Sequence, residues 1–214
     1  MATRSINDLY NLFRDLVRKE RGTYITIPQF NNYMDSGQMD AVAEWFEPYG
    51  QTQKLHDALR QLRVYQPFTS DSGGLVNYNS NYIHILGNPF TVSGSTVTNL
   101  RMINEDEFKD AVTSQLRPIS NAYPIAVDTS SGFKIYPEAT QTGAYWYLKR
   151  PATITLAYTQ IGRTITYDAA NSIQPDFSDI YFNNLIAKSL KYAAVYMDEK
   201  GVADFANQYN QETT

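Results

Sequence analysis

The spacing of apolar residues changes twice along this chain, and that change limits the folds open to it. At the start, Ile6, Leu9, Tyr10, Phe13, Leu16 and Val17 fall at helical spacing. Ser5 and Asp8 stand at the positions of a capping box, and Gly22 supplies a C-terminal stop. A second helix is expected from Pro28, capped by Thr26, with Phe30, Tyr33, Met34, Met39, Val42 and Phe46 on its apolar side. Ser36-Gly37 is expected to break it in two, and Pro48 with Gly50 to end it. Leu55, Leu59 and Leu62 mark a third, shorter helix. The helical period returns after Pro175, where Ile180, Tyr181, Leu185, Ile186, Leu190, Ala193 and Met197 form a wide stripe that ends at Gly201. A short amphipathic segment around Val202–Tyr209 follows.

Between these ends the pattern is short and alternating. Turn clusters such as Ser70-Asp71-Ser72-Gly73-Gly74, Gly87-Asn88-Pro89 and Ser93-Gly94-Ser95 punctuate it. The stretch YPIAVDTSSGFKIYPE reads as a hairpin closed around Ser130-Ser131-Gly132. Two strand-forming runs, joined through Lys149-Arg150-Pro151, make up GAYWYLKRPATITLAY, with Ile154, Leu156 and Tyr158 on one face of the second. One helix interrupts, NEDEFKDAVTSQL, whose Glu105, Asp106 and Glu107 suit the positive end of a helix dipole. The expected fold is α+β. A helical bundle comes from both ends of the chain, residues 1–63 and 175–214. An antiparallel β domain is inserted at 64–174, with a helix near 104–116.

Composition narrows the chemistry. The 214 residues include no Cys and two His, which excludes a disulfide framework, a zinc ribbon, an iron–sulfur site and a thiol nucleophile. His56 has no second His four residues on, so the helical metalloprotease pattern is missing. His84 alternates with Ile83 and Ile85 and reads as one side of a strand. The glycine-rich DSGGLVNYN carries no lysine for a phosphate cradle, and Ser93-Gly94-Ser95 lacks the spacing of a nucleophile elbow. No catalytic residue, cofactor or metal set is expected. A formal net charge of −4 argues against general binding of nucleic acid. The opening MATRSINDLYNLF has no apolar core of a secretion signal, and no apolar run reaches the roughly 20 residues that span a bilayer, so no membrane partner is expected.

Seventeen tyrosines stand out, several around residues 143–158. Tyrosine buries a ring while keeping its hydroxyl wet, which suits half-buried surfaces and contacts. Three readings of Tyr145-Trp146-Tyr147 stay open: core, a platform for a glycan, or a surface for another protein. Lys149 and Arg150 beside them could serve single-stranded nucleic acid stacked on Tyr145 and Tyr147. A strand end blunted by charge and proline is the plainer reading.

Six blocks, taken in order, carry a further likeness: KERGTYITIPQFNNYM, LHDALRQLRVY, INEDEFKDAVTSQLRPISNAYPIAV, FKIYPE, YWYLKRPATI and DFSDIYFNNLIAKSLKYAAVYM. In this order the chain resembles the head-to-tail adaptor, or connector ring, proteins of tailed bacteriophages, in particular phages infecting Bacteroidetes, including crAss-like phages. The resemblance implies a structural virion protein at the particle neck that performs no catalysis. It implies a closed ring of 12 copies below the portal protein, with further tail rings or the tail nozzle beneath, and genomic DNA passing through the lumen without sequence-specific binding. A ring subunit needs two complementary faces. Tyr145, Tyr147, Lys149, Arg150 and Tyr158 are the expected contact residues. Val202, Phe205 and Tyr209 of the C-terminal segment are expected to dock on a neighbouring ring or the portal. The alternative is a tail-associated glycan-binding module that uses the Tyr145-Trp146-Tyr147 strand.

Overall fold

Helical spacing at the two ends becomes helix, and alternation in the middle becomes sheet, in a computed structural model that describes residues 5–21, 25–46, 53–115, 118–162 and 164–196. Helices α1 (Ile6–Arg21), α2 (Ile27–Phe46) and α3 (Gln53–Ala58) come first, then a 3₁₀ turn at Arg60–Leu62. Strands β1 (Arg63–Thr69), β2 (Leu75–Asn77), β3 (Tyr82–Ile85), β4 (Phe90–Ser93), β5 (Thr96–Asn99) and β6 (Arg101–Ile103) lead to helix α4 (Glu105–Thr113). After it come β7 (Ile125–Thr129), β8 (Gly132–Tyr136) and β9 (Thr142–Lys149). A ribbon of β10 (Tyr158–Ile161) and β11 (Thr164–Tyr167), a second 3₁₀ turn at Asp179–Tyr181 and helix α5 (Phe182–Tyr196) close the described chain. The fold is α+β, with helices from both ends flanking a β region. It divides into two compact units: the described residues up to Leu62 together with those from Pro151 onward, and Arg63–Arg150.

In the helical unit both expected caps close. Ser5 N donates to Asp8 Oδ2 at 2.9 Å while Asp8 N donates back to Ser5 Oγ at 3.2 Å. Thr26 and Gln29 make the same reciprocal pair at the start of α2, at 3.0 and 3.5 Å. The core is aromatic where α1 meets α2, with Phe30 edge-on to Tyr10 and Phe13 at centroid distances of 5.1 and 5.4 Å. Leu185, Ile186, Leu190 and Ala193 bury the apolar stripe of α5. Beyond that stripe, the Lys188 ammonium reaches Glu44 of α2, and Tyr192 donates to Asp40 at 2.7 Å. That bond, aided by partial burial, pushes the Tyr192 pKa up to about 12.

Ser36-Gly37 does not break α2, which runs unbroken through it. Gly37 is buried, and a Cβ built there would lie 2.8 Å from the Ser189 backbone nitrogen of α5. The glycine therefore serves helix packing, letting two backbones approach. The third apolar run also differs in form: α3 ends at Ala58, and Leu59 and Leu62 are buried beyond it, Leu62 at the end of the 3₁₀ turn. The expected stops at Gly22, Pro48-Gly50 and Gly201 lie outside the described residues.

The second expected boundary also shifts. Alternation places residues 151–174 in the inserted β domain, whereas the compact units part at Arg150/Pro151. Side chains of the helices explain why. Asn31 of α2 accepts from Leu156 N at 2.9 Å, Gln38 donates to the Ala152 carbonyl at 2.8 Å, and Tyr158 donates to Asn7 of α1 at 2.7 Å. Ile154 and Leu156 are buried as their alternation required. β10 and β11 pair with each other, and before them, among the described residues, a single isolated bridge of Thr155 with Ile173 gives residues 151–157 a β partner. Extended backbone is here satisfied by helix-borne amides instead of a sheet.

Within Arg63–Arg150 the strands form two sheets. One has the order β1-β9-β4-β5, with β3 also on β9; the other is β2-β8-β7-β6. The expected hairpin closes through Ser130 and Ser131, with Thr129 opposite Gly132. The domain is mixed and not wholly antiparallel, because β6 and β7 pair in parallel. Parallel neighbours need a crossover, and α4 provides it, laying Phe108 and Ala111 against Ile103, Ile125 and Val127. Val76, Leu100, Ala126, Phe133, Ile135, Tyr145 and Tyr147 fill the core between the two sheets.

The close approach at Gly37 makes a prediction. Alanine there gains about 0.5–1 kcal/mol in helix propensity, but overpacking against a backbone atom costs about 1–3 kcal/mol. Gly37→Ala should therefore lower stability, and Gly37→Val should lower it further, as read from the midpoint of urea unfolding. Trimming Ser189 to Gly should not rescue either variant, because backbone atoms stand in the way.

Candidate functional site: the two faces of strand β9

β9 reads TGAYWYLK, and its aromatic residues divide between two faces, the tyrosines on one and the tryptophan on the other. It is central in its sheet. One edge pairs with β1 from Arg63↔Leu148 to Thr69↔Thr142. The other edge is shared by β4, opposite Gly143 and Ala144, and β3, opposite Tyr147 to Lys149. Gly143 lets β4 and β1 crowd in, since a Cβ there would fall 2.9 Å from Thr91 Cα and 2.7 Å from the Phe68 ring.

Period two then sends Tyr145 and Tyr147 inward and Trp146 outward. Both tyrosines are 1% exposed. Tyr145 lies edge-on to Phe133 at 5.4 Å, and Tyr147 stands 6.0 Å from Tyr82. Tyr82 is stacked on Tyr78 at 3.8 Å with rings 2° from parallel. The hydroxyls need partners in this interior. Tyr78 donates to Asp128 at 2.7 Å and Tyr147 to Asn81 at 2.8 Å. The Asn81 carbonyl also accepts from Arg150 N at 2.6 Å, which clamps the end of β9. The Tyr145 hydroxyl is buried and makes no hydrogen bond among the described residues. Burial raises all three of Tyr78, Tyr82 and Tyr145 above the ordinary tyrosine range; at Tyr78 the bond to Asp128 adds to it, and at Tyr145 the nearby Asn79 amide offsets it in part without closing a bond.

On the outer face Trp146 is 40% exposed and sits opposite Tyr65 of β1, itself 49% exposed. The two rings are 5.0 Å apart and tilted by 58°, and the Arg63 guanidinium lies 5.4 Å from the Trp146 centroid. This is a cation–aromatic patch open to solvent.

The expected contact residues therefore separate. Tyr145 and Tyr147 are core and offer no surface, so a three-ring platform of Tyr145, Trp146 and Tyr147 cannot form. Alternation along the strand could have signalled this, because it puts Tyr145 and Tyr147 on one face and Trp146 on the other. Lys149 is half-buried, and Arg150 is exposed at the strand end with its backbone tied to Asn81. Tyr158 spends its hydroxyl on Asn7 and its ring on Tyr10 and Tyr167, at 6.3 and 6.1 Å. Val202, Phe205 and Tyr209 lie outside the described residues. The sequence reading missed Tyr65 and Arg63, since nothing local announces which residue of a distant strand will face Trp146.

Among the described residues no group of three or more His, Cys, Asp or Glu could hold a metal ion, and no helix is long and apolar enough to cross a membrane. No protein-family model matches the chain, and no curated protein is significantly similar to it.

The two faces predict different costs. Tyr147→Ala should lose about 3–5 kcal/mol, as truncation of a buried aromatic does. Trp146→Ala should lose about 1 kcal/mol, the scale of an exposed aromatic pair. Denaturant unfolding of both variants checks the contrast.

The raised tyrosines set an alkaline limit as well. Their stabilisation is fully present below about pH 10, where the unfolded chain also keeps its phenols neutral, and is lost as pH rises toward the folded values. Each contributes a fall of at most about 1.4 kcal/mol per pH unit in that window. Urea midpoints above pH 10 should drop steeply, and the part of the tyrosinate absorbance that comes from the buried rings should appear as a separate step together with unfolding.

Proposed function

We propose that the chain is a structural virion subunit, a head-to-tail adaptor that closes into a ring of 12 copies around the DNA channel between portal protein and tail. The observation that carries the assembly part of this reading is the Tyr65–Trp146 pair, two large aromatic side chains held rigid by paired strands yet open to solvent. Such rings bury much area at small entropic cost, which makes them anchors of protein contacts. The helical unit adds exposed aliphatic groups of its own, Ile180 at 80% and Val195 at 82%. A ring subunit has to present two unlike faces to its neighbours, and each unit thus has a candidate. The order of sequence blocks that resembles phage connector rings is what directs this contact chemistry to the particle neck. The net charge of −4 suits a conduit that does not grip passing phosphates.

The reading is tested by electron microscopy of the purified full chain and of the virion. Closed rings at the neck are expected. The double variant Tyr65→Ala, Trp146→Ala should keep its circular dichroism spectrum while ring formation falls at least tenfold in concentration dependence, about 1.4 kcal/mol per contact. A protein that stays monomeric at every concentration and is missing from virions would overturn it.

A further inference from the structure

We propose that a cleft between β1 and β2 binds a neutral saccharide, with the Tyr145 hydroxyl as a hydrogen-bond donor at its floor. This goes beyond the assembly reading and holds whether or not rings form. Where the edge strands of the two sheets part, the chain leaves a cleft of about 460 Å³. That is far larger than the roughly 30 Å³ of a single water and falls within the roughly 300–1,000 Å³ of small-ligand sites.

The lining decides the ligand class. Gln66, Asn77 and Asn79 line it, the Gln66 amide already donating to the Pro67 carbonyl at 2.9 Å, and Asp71 brings a carboxylate whose Oδ1 is already held by Gly73 N and Leu75 N at 2.9 and 2.8 Å. Phe68 and Tyr145 complete the wall, and no Lys, Arg or His among the described residues lines the cleft. A phosphate or carboxylate ligand would meet no counter-charge there. An apolar ligand would strand the amides, because buried polar groups left unpaired are costly. An extended peptide would meet Pro67 in β1, which lacks the N–H that a ladder needs, and on the other side only the three residues of β2. Sugar hydroxyls both donate and accept, and so match amides, a carboxylate and a phenol together. The aromatic wall takes the C–H face of the ring.

Tyr145 is the independent observation. Tyr78 and Tyr147, its neighbours in the same core, each have a hydroxyl partner, at 2.7 and 2.8 Å. Tyr145 is 1% exposed and its hydroxyl has none among the described residues. A donor held ready without a partner is worth its cost where a ligand supplies the acceptor.

Saturation-transfer NMR on the full chain, with glucose, galactose, mannose, N-acetylglucosamine and their disaccharides as probes, tests this. At least one probe should bind with millimolar affinity. Tyr145→Phe should weaken that binding about five- to tenfold, as loss of one neutral hydrogen bond does, while its melting temperature is unchanged or higher. Asn79→Ala should weaken binding too, and Trp146→Ala, on the opposite face, should leave it unchanged. Absence of binding by every probe, equal binding by Tyr145→Phe, or a Tyr145→Phe protein that melts lower would each overturn the proposal. Because Trp146→Ala bears on assembly and Tyr145→Phe on the cleft, the two readings fail separately.

Discussion

Strand β9 is the constraint on which the β-rich unit rests. It is hydrogen-bonded along both edges, to β1 on one side and to β4 and β3 on the other. A strand in that position has no freedom of register, because slipping by one residue would put Trp146 into the core and two tyrosines out of it. Both edges and both faces thus agree on a single placement. The glycine at 143 removes the one Cβ that would have kept β1 and β4 from closing around its start.

The helical unit reaches the same definiteness by different means. Helices α2 and α5 meet where Gly37 faces the Ser189 backbone, a contact that a larger residue would hold open. The extended residues between Pro151 and β10 have one bridged β partner among the described residues, and Asn31 and Gln38 take the place of a strand, while Asn7 holds the Tyr158 hydroxyl. Each of these amides sits on a helix yet faces the extended chain. Their bonds make this segment part of the helical unit, although its residues alternate like a strand.

That segment shows what the sequence could and could not reveal. Periodicity locates the helices, their capping pairs and the Thr129–Gly132 hairpin, because all depend on neighbours within a few residues. Alternation at Ile154 and Leu156 correctly marks the buried side, but it reports only extension and one-sided burial. Whether the covering surface is a sheet or a helix depends on residues more than a hundred positions away. Gly37 is ambiguous for the same reason: breaker and close-contact glycine look alike until the facing helix is known. Parallel pairing of β6 with β7 was within reach, since a helix between two strands is the usual crossover. At the candidate site, alternation separates Trp146 from its neighbours, but the partners Tyr65 and Arg63 come from a strand some eighty residues earlier.

Tyrosine is an unusual choice for a sheet interior, and the way its hydroxyls are used gives the core its character. Phenylalanine would fill the same space without a polar group to satisfy. At Tyr78 and Tyr147 the hydroxyls act as cross-links, tying the ring stack to Asp128 on β7 and to Asn81 in the loop before β3. A fully satisfied network rigidifies and specifies a core, whereas one unpaired member weakens it. Tyr145 therefore stands apart from its neighbours. If packing alone governed its position, loss of the hydroxyl would relieve the core, since a buried donor without an acceptor costs on the order of 1–3 kcal/mol. Its place beside an open, amide-lined cleft supplies a reason for keeping the oxygen that packing does not.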